Sequence, residues 1–333
     1  MSIAQQTPNS KEKIFVQTFT LIVGVLILAV KFFAFFKTNS NAILTDALES
    51  IVNIVAGSFG LYSLYIAAKP DDEDHPYGHG KVEFISASIE GTLILAAGIA
   101  MIIKSTYNFF KPIEITSLDI GLVLIVISGI INFILGKIAQ RSGEKNSSLT
   151  LIASGEHLKA DAYTSVGLLV GLGIVFFTHK FWFDNVVAIL MGLLIIYNGF
   201  RILKKSVAGI MDEADFSLLE KVVVQLNSNR QENWIDIHNL RIIKFGDKIH
   251  IDCHTTIPWY FNANEVHEEL KLVEENIKQI IPNNLETFIH ADPCLPKSCK
   301  SCYKSDCNVR QSPFEQKIEW TLQNVMKNEK HFL

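Results

Sequence analysis

The stretch Glu156-His157-Leu158-Lys159-Ala160-Asp161 lies inside an apolar run from about Leu149 to Phe177. His157 and Asp161 are four residues apart, so on a helix they share one face about one turn from each other. An ionisable pair inside a membrane-length segment is costly. It persists where it faces a bundle interior, and its default reading is a substrate or proton site. The structural alternative is a His–Asp hydrogen bond that holds two helices together.

The rest of the chain supports a membrane setting for that run. Of its 333 residues 49% are apolar, too many for an ordinary soluble protein. Six apolar stretches of membrane-spanning length precede residue 205, at about 14–36, 42–68, 84–110, 118–139, 149–177 and 183–203. The first follows a polar leader and lacks a small-residue cleavage pattern, so it reads as an anchor and not a signal peptide. A net charge of −4 says little, and no nucleic-acid partner is expected. Four of the five cysteines crowd between Cys294 and Cys307, which excludes a disulfide-stapled ectodomain.

Basic residues flanking the spans set the orientation. Lys11, Lys13, Lys69, Lys81, Lys137, Arg141, Lys145, Arg201, Lys204 and Lys205 lie on one side; Lys37, Lys111 and Lys180 lie on the other, with Lys104 close by. The imbalance predicts cytoplasmic termini. The chain divides into a tail (1–13), a six-span transport domain (14–210), a cytoplasmic domain (211–293), and a cysteine-rich segment with a last helix (294–333).

Beyond residue 213 the pattern is that of a soluble domain. Phe216–Leu226 reads as an amphipathic helix, Asn239–Phe245 and Lys248–Ile257 as strands joined by a Gly246-Asp247 turn, Asn264–Ile281 as a helix, and Leu285–His290 as a third strand. This αββαβ order predicts a small, ferredoxin-like α+β domain with helices on one face of a sheet. A final helix is expected over about Ser312–Lys327, with Pro313 in its first turn.

Metal chemistry has three candidate places. Span 2 carries Glu49 and Asn53, and span 5 carries His157 and Asp161. At about 1.5 Å per residue, both pairs lie roughly 10–17 Å from opposite faces, near the midplane of a ~30 Å core. Two such pairs on antiparallel helices can converge on a divalent transition metal, zinc above all, whose charge the two carboxylates would neutralise. The alternative is a buried polar network joining spans 2 and 5. The second place is the loop Asp71–Lys81, where two histidines four apart beside a run of carboxylates can chelate a cation or only attract one. The third is the soluble domain, where His238, His254, His267, His290 and Asp292 sit at strand ends and on the second helix. Scattered histidines of this kind are usually plain surface residues.

Together these features resemble one family, the cation diffusion facilitators. The resemblance covers about residues 10–293 and rests on Asp74-His75-Pro76-Tyr77-Gly78-His79-Gly80-Lys81-Val82-Glu83 and His157-Leu158-Lys159-Ala160-Asp161. Met211-Asp212, His238-Asn239-Leu240-Arg241 and His290-Ala291-Asp292-Pro293-Cys294 add to it. It implies a homodimer in the lipid bilayer, most simply a bacterial inner membrane, that exports divalent metal in exchange for protons. Transport ligands would be Glu49, Asn53, His157 and Asp161; loop ligands Asp72, His75 and His79; and dimer-stabilising cytoplasmic ligands His238, His254, His267, His290 and Asp292. Lys81 and Asp212 match a charged pair that locks the protomers together.

Relatives usually have Asp or His, then Asp, where this chain has Glu49 and Asn53. Asn cannot lose a proton, so charge and proton stoichiometry are expected to differ. Added oxygen character admits manganese or iron(II), whereas a softer set favours zinc or cadmium. Asp46, one turn before Glu49, is an alternative ligand.

The cysteines Cys294, Cys299, Cys302 and Cys307 lie outside the shared pattern, spaced C-x4-C-x2-C-x4-C. In a reducing compartment this suits a zinc site; redox chemistry and unliganded thiols are the alternatives. Competing functions are a metal-responsive sensor or scaffold that does not transport, a membrane metalloprotease and a channel. The protease lacks any His-Glu-x-x-His motif, so no enzyme is expected. A channel would be stalled by four converging ligands.

Overall fold

The computed structural model describes residues 8–38, 41–110, 120–178, 182–246, 248–282 and 284–333. The chain forms two compact units, Met1–Met211 and Asp212–Leu333.

Among the described residues, the first unit contains six long helices: α1 (Pro8–Thr38), α2 (Asn41–Ala67), α3 (Val82–Phe110), α4 (Ile120–Lys145), α5 (Leu149–Thr178) and α6 (Trp182–Ile210). Stretches of α1, α2, α3 and α6 are long and apolar enough to cross a membrane. The 26 and 30 residues of α4 and α5 have the length to do so. The apolar surface is outside: Phe15, Ile22, Leu26, Phe33 and Phe36 of α1 are exposed, whereas Gln17 and Lys31 are buried. Lipid supplies no hydrophobic drive between helices, so the bundle depends on close packing and inward polar bonds. α4 and α5 meet backbone to backbone, since a Cβ on Gly155 would lie 2.7 Å from the Gly136 carbonyl oxygen. That contact fixes α5, the helix that carries His157 and Asp161.

The second unit runs α7 (Phe216–Ser228), β1 (Asp236–Phe245), β2 (Lys248–Ile257), α8 (Ala263–Ile280) and β3 (Leu285–Pro293). This is the expected αββαβ order. The sheet order is β1-β2-β3, with β1 antiparallel and β3 parallel to β2. Asp215 caps α7 by accepting from the Leu218 N–H, and Asn262 with Glu265 forms a capping box on α8. Leu219, Val222, Trp234, Ile237, Ile251, Val273 and Ile277 make the core. Gly246 takes the expected turn with φ +67°; Asp247 lies outside the described residues.

The last helix differs from expectation. Within the stretch 312–327, only α9 (Leu322–Val325) is helical. Upstream of it the backbone polar groups find partners elsewhere: Glu315 and Gln316 N–H donate to the Lys300 carbonyl, and the Ile318 carbonyl accepts from Arg230. Trp320 is buried in the core, with the Arg230 guanidinium 3.9 Å from its ring centre. Tertiary partners have displaced the local helix.

Candidate metal centres

Inside the bundle, the side chains of Asn53, His157 and Asp161 are joined. The Asn53 amide nitrogen donates to Asp161 Oδ2 at 2.5 Å, and its oxygen lies 2.8 Å from His157 Nε2. With the amide hydrogen directed at Asp161, the imidazole is the donor to the amide oxygen. A chain of hydrogen bonds, His157–Asn53–Asp161, thus joins α2 and α5. Glu49 and Asp46 belong to α2, but their side chains lie outside the described residues.

A cavity of about 60 Å³ adjoins this cluster, lined by Gln17, Asn53, Glu90, Ser154 and His157 among others. Glu90 is only 2% exposed. Its Oε1 accepts from the Ser154 hydroxyl at 2.6 Å, and Ser154 in turn accepts from Gln17 Nε2 at 3.2 Å. Glu90 Oε2 has no hydrogen-bond partner among the described residues. Spacing gave no sign of this acid's importance, because no second ligand type lies one turn away on α3; only the packing reveals it. The charge at Lys159 is compensated locally, by Glu156 at 2.8 Å and the Gln140 oxygen at 2.6 Å.

The loop before α3 gathers Asp72, His75 and His79, with ligand atoms within 4.8 Å of one another. Asp72 Oδ1 lies 3.1 Å from His75 Nδ1, and Oδ2 lies 3.3 Å from His79 Nε2. Gly78 makes this possible: its φ of +84° turns the chain so that the two rings stand 4.4 Å apart. What burial Asp72 has opposes its charge, but hydrogen bonds from His75 and the nearby His79 hold its carboxyl below the usual range. Lys81 follows this loop, and Asp212 opens the second unit with φ +57°.

In the second unit, register builds the site. His238 pairs with His254 across β1 and β2, and His254 pairs with His290 across β2 and β3. Asp292 is two residues further along β3, on the face of His290. Its Oδ2 lies 3.0 Å from His254 Nδ1 and 3.3 Å from His238 Nε2. His238, His254 and Asp292 form the second set with ligand atoms within 4.8 Å. The exposed His290 ring lies 4.7 Å from that of His254, tilted by 45°. His267 is exposed on α8 and lines a separate cleft with Lys271 and Thr287, so this chain alone does not bring it to the set.

Residues from the C-terminal tail border this set, and no motif in the sequence marks them. Lys330 Nζ lies 3.4 Å from Asp292 Oδ1 and donates to the Pro293 carbonyl at 2.9 Å. His331 Nδ1 lies 2.7 Å from Asp236, whose other oxygen is 3.2 Å from His238. Burial works against charge on Asp236, yet its bonds to His238 and His331 bring the carboxyl down to about 2. Asp292 is lowered likewise, against burial, by His254 and Lys330.

The remaining cysteine, Cys253, points the other way from this face and is buried in the core. Burial pushes its thiol up to about 12, which marks it as inert packing. The four clustered cysteines line one small cavity at the end of β3.

Two family models cover most of the chain. Residues 18–211 match the cation efflux transmembrane domain, and residues 218–294 match the cytoplasmic domain of cation efflux proteins. The manganese efflux system protein MneS of Bacillus subtilis is 27% identical over 256 residues, 75% of this chain and 86% of that protein. A cation-efflux pump FieF of Salmonella arizonae is 25% identical over 283 residues, 83% and 92% of the two chains. An uncharacterized transporter of Synechocystis is 26% identical over 272 residues, 81% and 87% of the two chains. With a transmembrane bundle and a cytoplasmic α+β domain both matched, this chain belongs to the cation diffusion facilitator family of cation efflux transporters.

Proposed function

We propose that the protein is a homodimeric, proton-coupled exporter of divalent transition-metal cations, with zinc as the leading substrate. The observation that carries this reading is the Asn53 amide held between His157 and Asp161 inside a lipid-facing bundle. A cation entering there replaces the hydrogen-bond chain ligand for ligand. To take the His157 Nε2 lone pair, it must first displace the hydrogen that bonds Asn53, so metal and proton compete for one atom. Imidazole as a class titrates near neutrality, which suits such an exchange. Glu49 completes the set in this proposal, with Asp46 as the alternate. Glu90, across the cavity, supplies a further acid able to carry a proton.

Cations gather at Asp72, His75 and His79, pass to the bundle, and leave on the far side as protons return. Both termini are cytoplasmic in this scheme, and the host membrane is a bacterial inner membrane. The set of His238, His254 and Asp292, joined by His290 and by His267, stabilises the dimer and senses the metal. Lys81 and Asp212 lock the protomers. Manganese is the second reading, favoured by the oxygen-rich ligands and by the likeness to MneS. Zinc-driven proton flux in vesicles tests the scheme. Asp161→Ala is expected to reduce flux to background while loop and sheet sites still bind zinc. Undiminished flux in that variant removes the bundle site from the mechanism. Zinc binding without any flux in the unmodified protein would favour a sensor instead.

A further inference from the structure

Residues beyond 294 lie outside both family models, yet they are built into the second unit. Cys294, Cys299, Cys302 and Cys307 are all free thiols, and all four line a single cavity of about 20 Å³. We propose that they form a tetrathiolate site for one structural zinc ion, which clasps the C-terminal tail to the domain.

The local architecture is that of a ligand loop. Cys294 N–H donates to the Ile257 carbonyl, which ties the first cysteine to the end of β2. A short 3-10 helix, Pro296–Lys300, carries Cys299, and Cys302 N–H bonds back to the Ser298 carbonyl. Arg310 closes the loop from outside: its guanidinium donates to the carbonyls of Cys299 (2.9 Å), Cys302 (3.0 Å) and Lys304 (2.6 Å). One cation thus satisfies three carbonyls of the loop. Gln311 N–H lies 3.5 Å from Cys299 Sγ, the kind of outer bond that supports a metal thiolate.

Composition argues that something other than apolar packing holds this loop. Apart from its cysteines, residues 294–310 contain only Leu295, Tyr303 and Val309 as large apolar groups, and Leu295 and Val309 are exposed. A loop with so little apolar core, held mainly by polar bonds such as Tyr303 to the Arg230 carbonyl and Ser305 to Glu232, gains most from a metal cross-link. Disulfides are disfavoured next to a cytoplasmic domain. The spacing C-x4-C-x2-C is also that of plant-type iron–sulfur proteins. Here, though, the cavity has room for about one small sphere and none for two irons with their bridging sulfides. A single zinc ion would hold each sulfur at about 2.3 Å, nearer to one another than they stand without metal. The four thiol sulfurs are not among the sets with ligand atoms all within 4.8 Å, so binding on this proposal requires the loop to close by a side-chain rearrangement. Four thiols release four protons as the ion binds, leaving a net charge of −2. Arg310, which lines the same cavity, offsets part of it, whereas Lys304 is paired with Asp306 at 2.6 Å.

Cobalt(II) is the probe, added to the full-length protein in detergent after chelation. The other candidate sets offer only nitrogen and oxygen, so sulfur-to-cobalt charge-transfer bands report this site alone. One equivalent per chain is expected, displaced by zinc. Arg310→Ala is expected to weaken zinc binding about 10–100-fold with the same bands retained. In parallel, alkylation of the four cysteines should slow sharply with zinc and recover with chelator. The proposal is overturned if cobalt binds without charge-transfer bands, if the thiols react equally with and without zinc, or if the purified protein carries iron and sulfide. None of these readouts uses transport, so failure of the exporter reading leaves the result intact.

Discussion

Asn53 combines two roles that a carboxylate could not share: it donates to Asp161 and accepts from His157 at once. An aspartate there would face Asp161 at hydrogen-bonding distance, and two carboxylates that close keep one proton between them. The cation must then expel that proton as well. Asn53→Asp is therefore expected to add about one proton released per zinc bound, and to make binding fall more steeply with acid. Calorimetry in buffers of differing ionisation enthalpy measures that number; an unchanged count would mean that Asn53 does not touch the ion. His157, Asp161 and Asn53 were legible in the sequence because helical spacing and depth in the bilayer fixed their meeting. Glu90 was not, since a single acid in an apolar helix has no spacing to read. The meeting of His238, His254 and Asp292 was legible only as a resemblance. Strand register decides it, and the register shifts at an irregularity between His238 and Arg241 that no alternation pattern reveals.

Among the elements, α7 shows how a cap joins helix to sheet. Asp215 accepts from the Leu218 N–H at 3.0 Å and pairs with Lys244 of β1. Burial opposes its charge, but the Lys244 bond and the cap lower its carboxyl to about 2. Because the folded value lies below the unfolded one of about 3.9, the contribution to stability is complete above pH ~4. It is lost as pH falls toward 2. Asp215→Asn keeps the cap and removes the ion pair, so its melting temperature should fall less than that of the parent between pH 4 and 2. Asp215→Ala loses the cap too, at a cost of about 1 kcal/mol. Thermal unfolding of the detergent-solubilised protein across that range checks both; parallel curves for Asn and parent would deny the shift. Boundaries such as Leu149 for α5 and Lys248–Ile257 for β2 could be read ahead because apolar period and turn residues agree there. The segment 312–321 could not, because its backbone is claimed by Lys300 and Arg230, residues distant in sequence.

At the scale of the whole molecule, the tail connects the cysteine loop to the histidine set of the same unit. It starts from the loop, lays Trp320 into the core, and ends with Lys330 against Asp292 and His331 against Asp236. An ammonium on Asp292 occupies the charge that a cation at His238 and His254 would use. A metal ion bound there would have to displace Lys330, so on the proposed function the tail would set the threshold at which that set fills. A partly exposed ion pair of this kind is worth up to about 1 kcal/mol, or roughly a fivefold change in affinity. Lys330→Met keeps the stem and removes the charge. In an Asp161→Ala background, which silences the bundle site, it is expected to tighten zinc binding at the sheet about fivefold. His254→Ala should abolish that same binding phase. Competition against a zinc-buffering dye measures both. Affinity unchanged or weakened by Lys330→Met would mean that the lysine steadies Asp292 for the metal and does not compete with it, and the tail would then belong to the site's frame and not to its control.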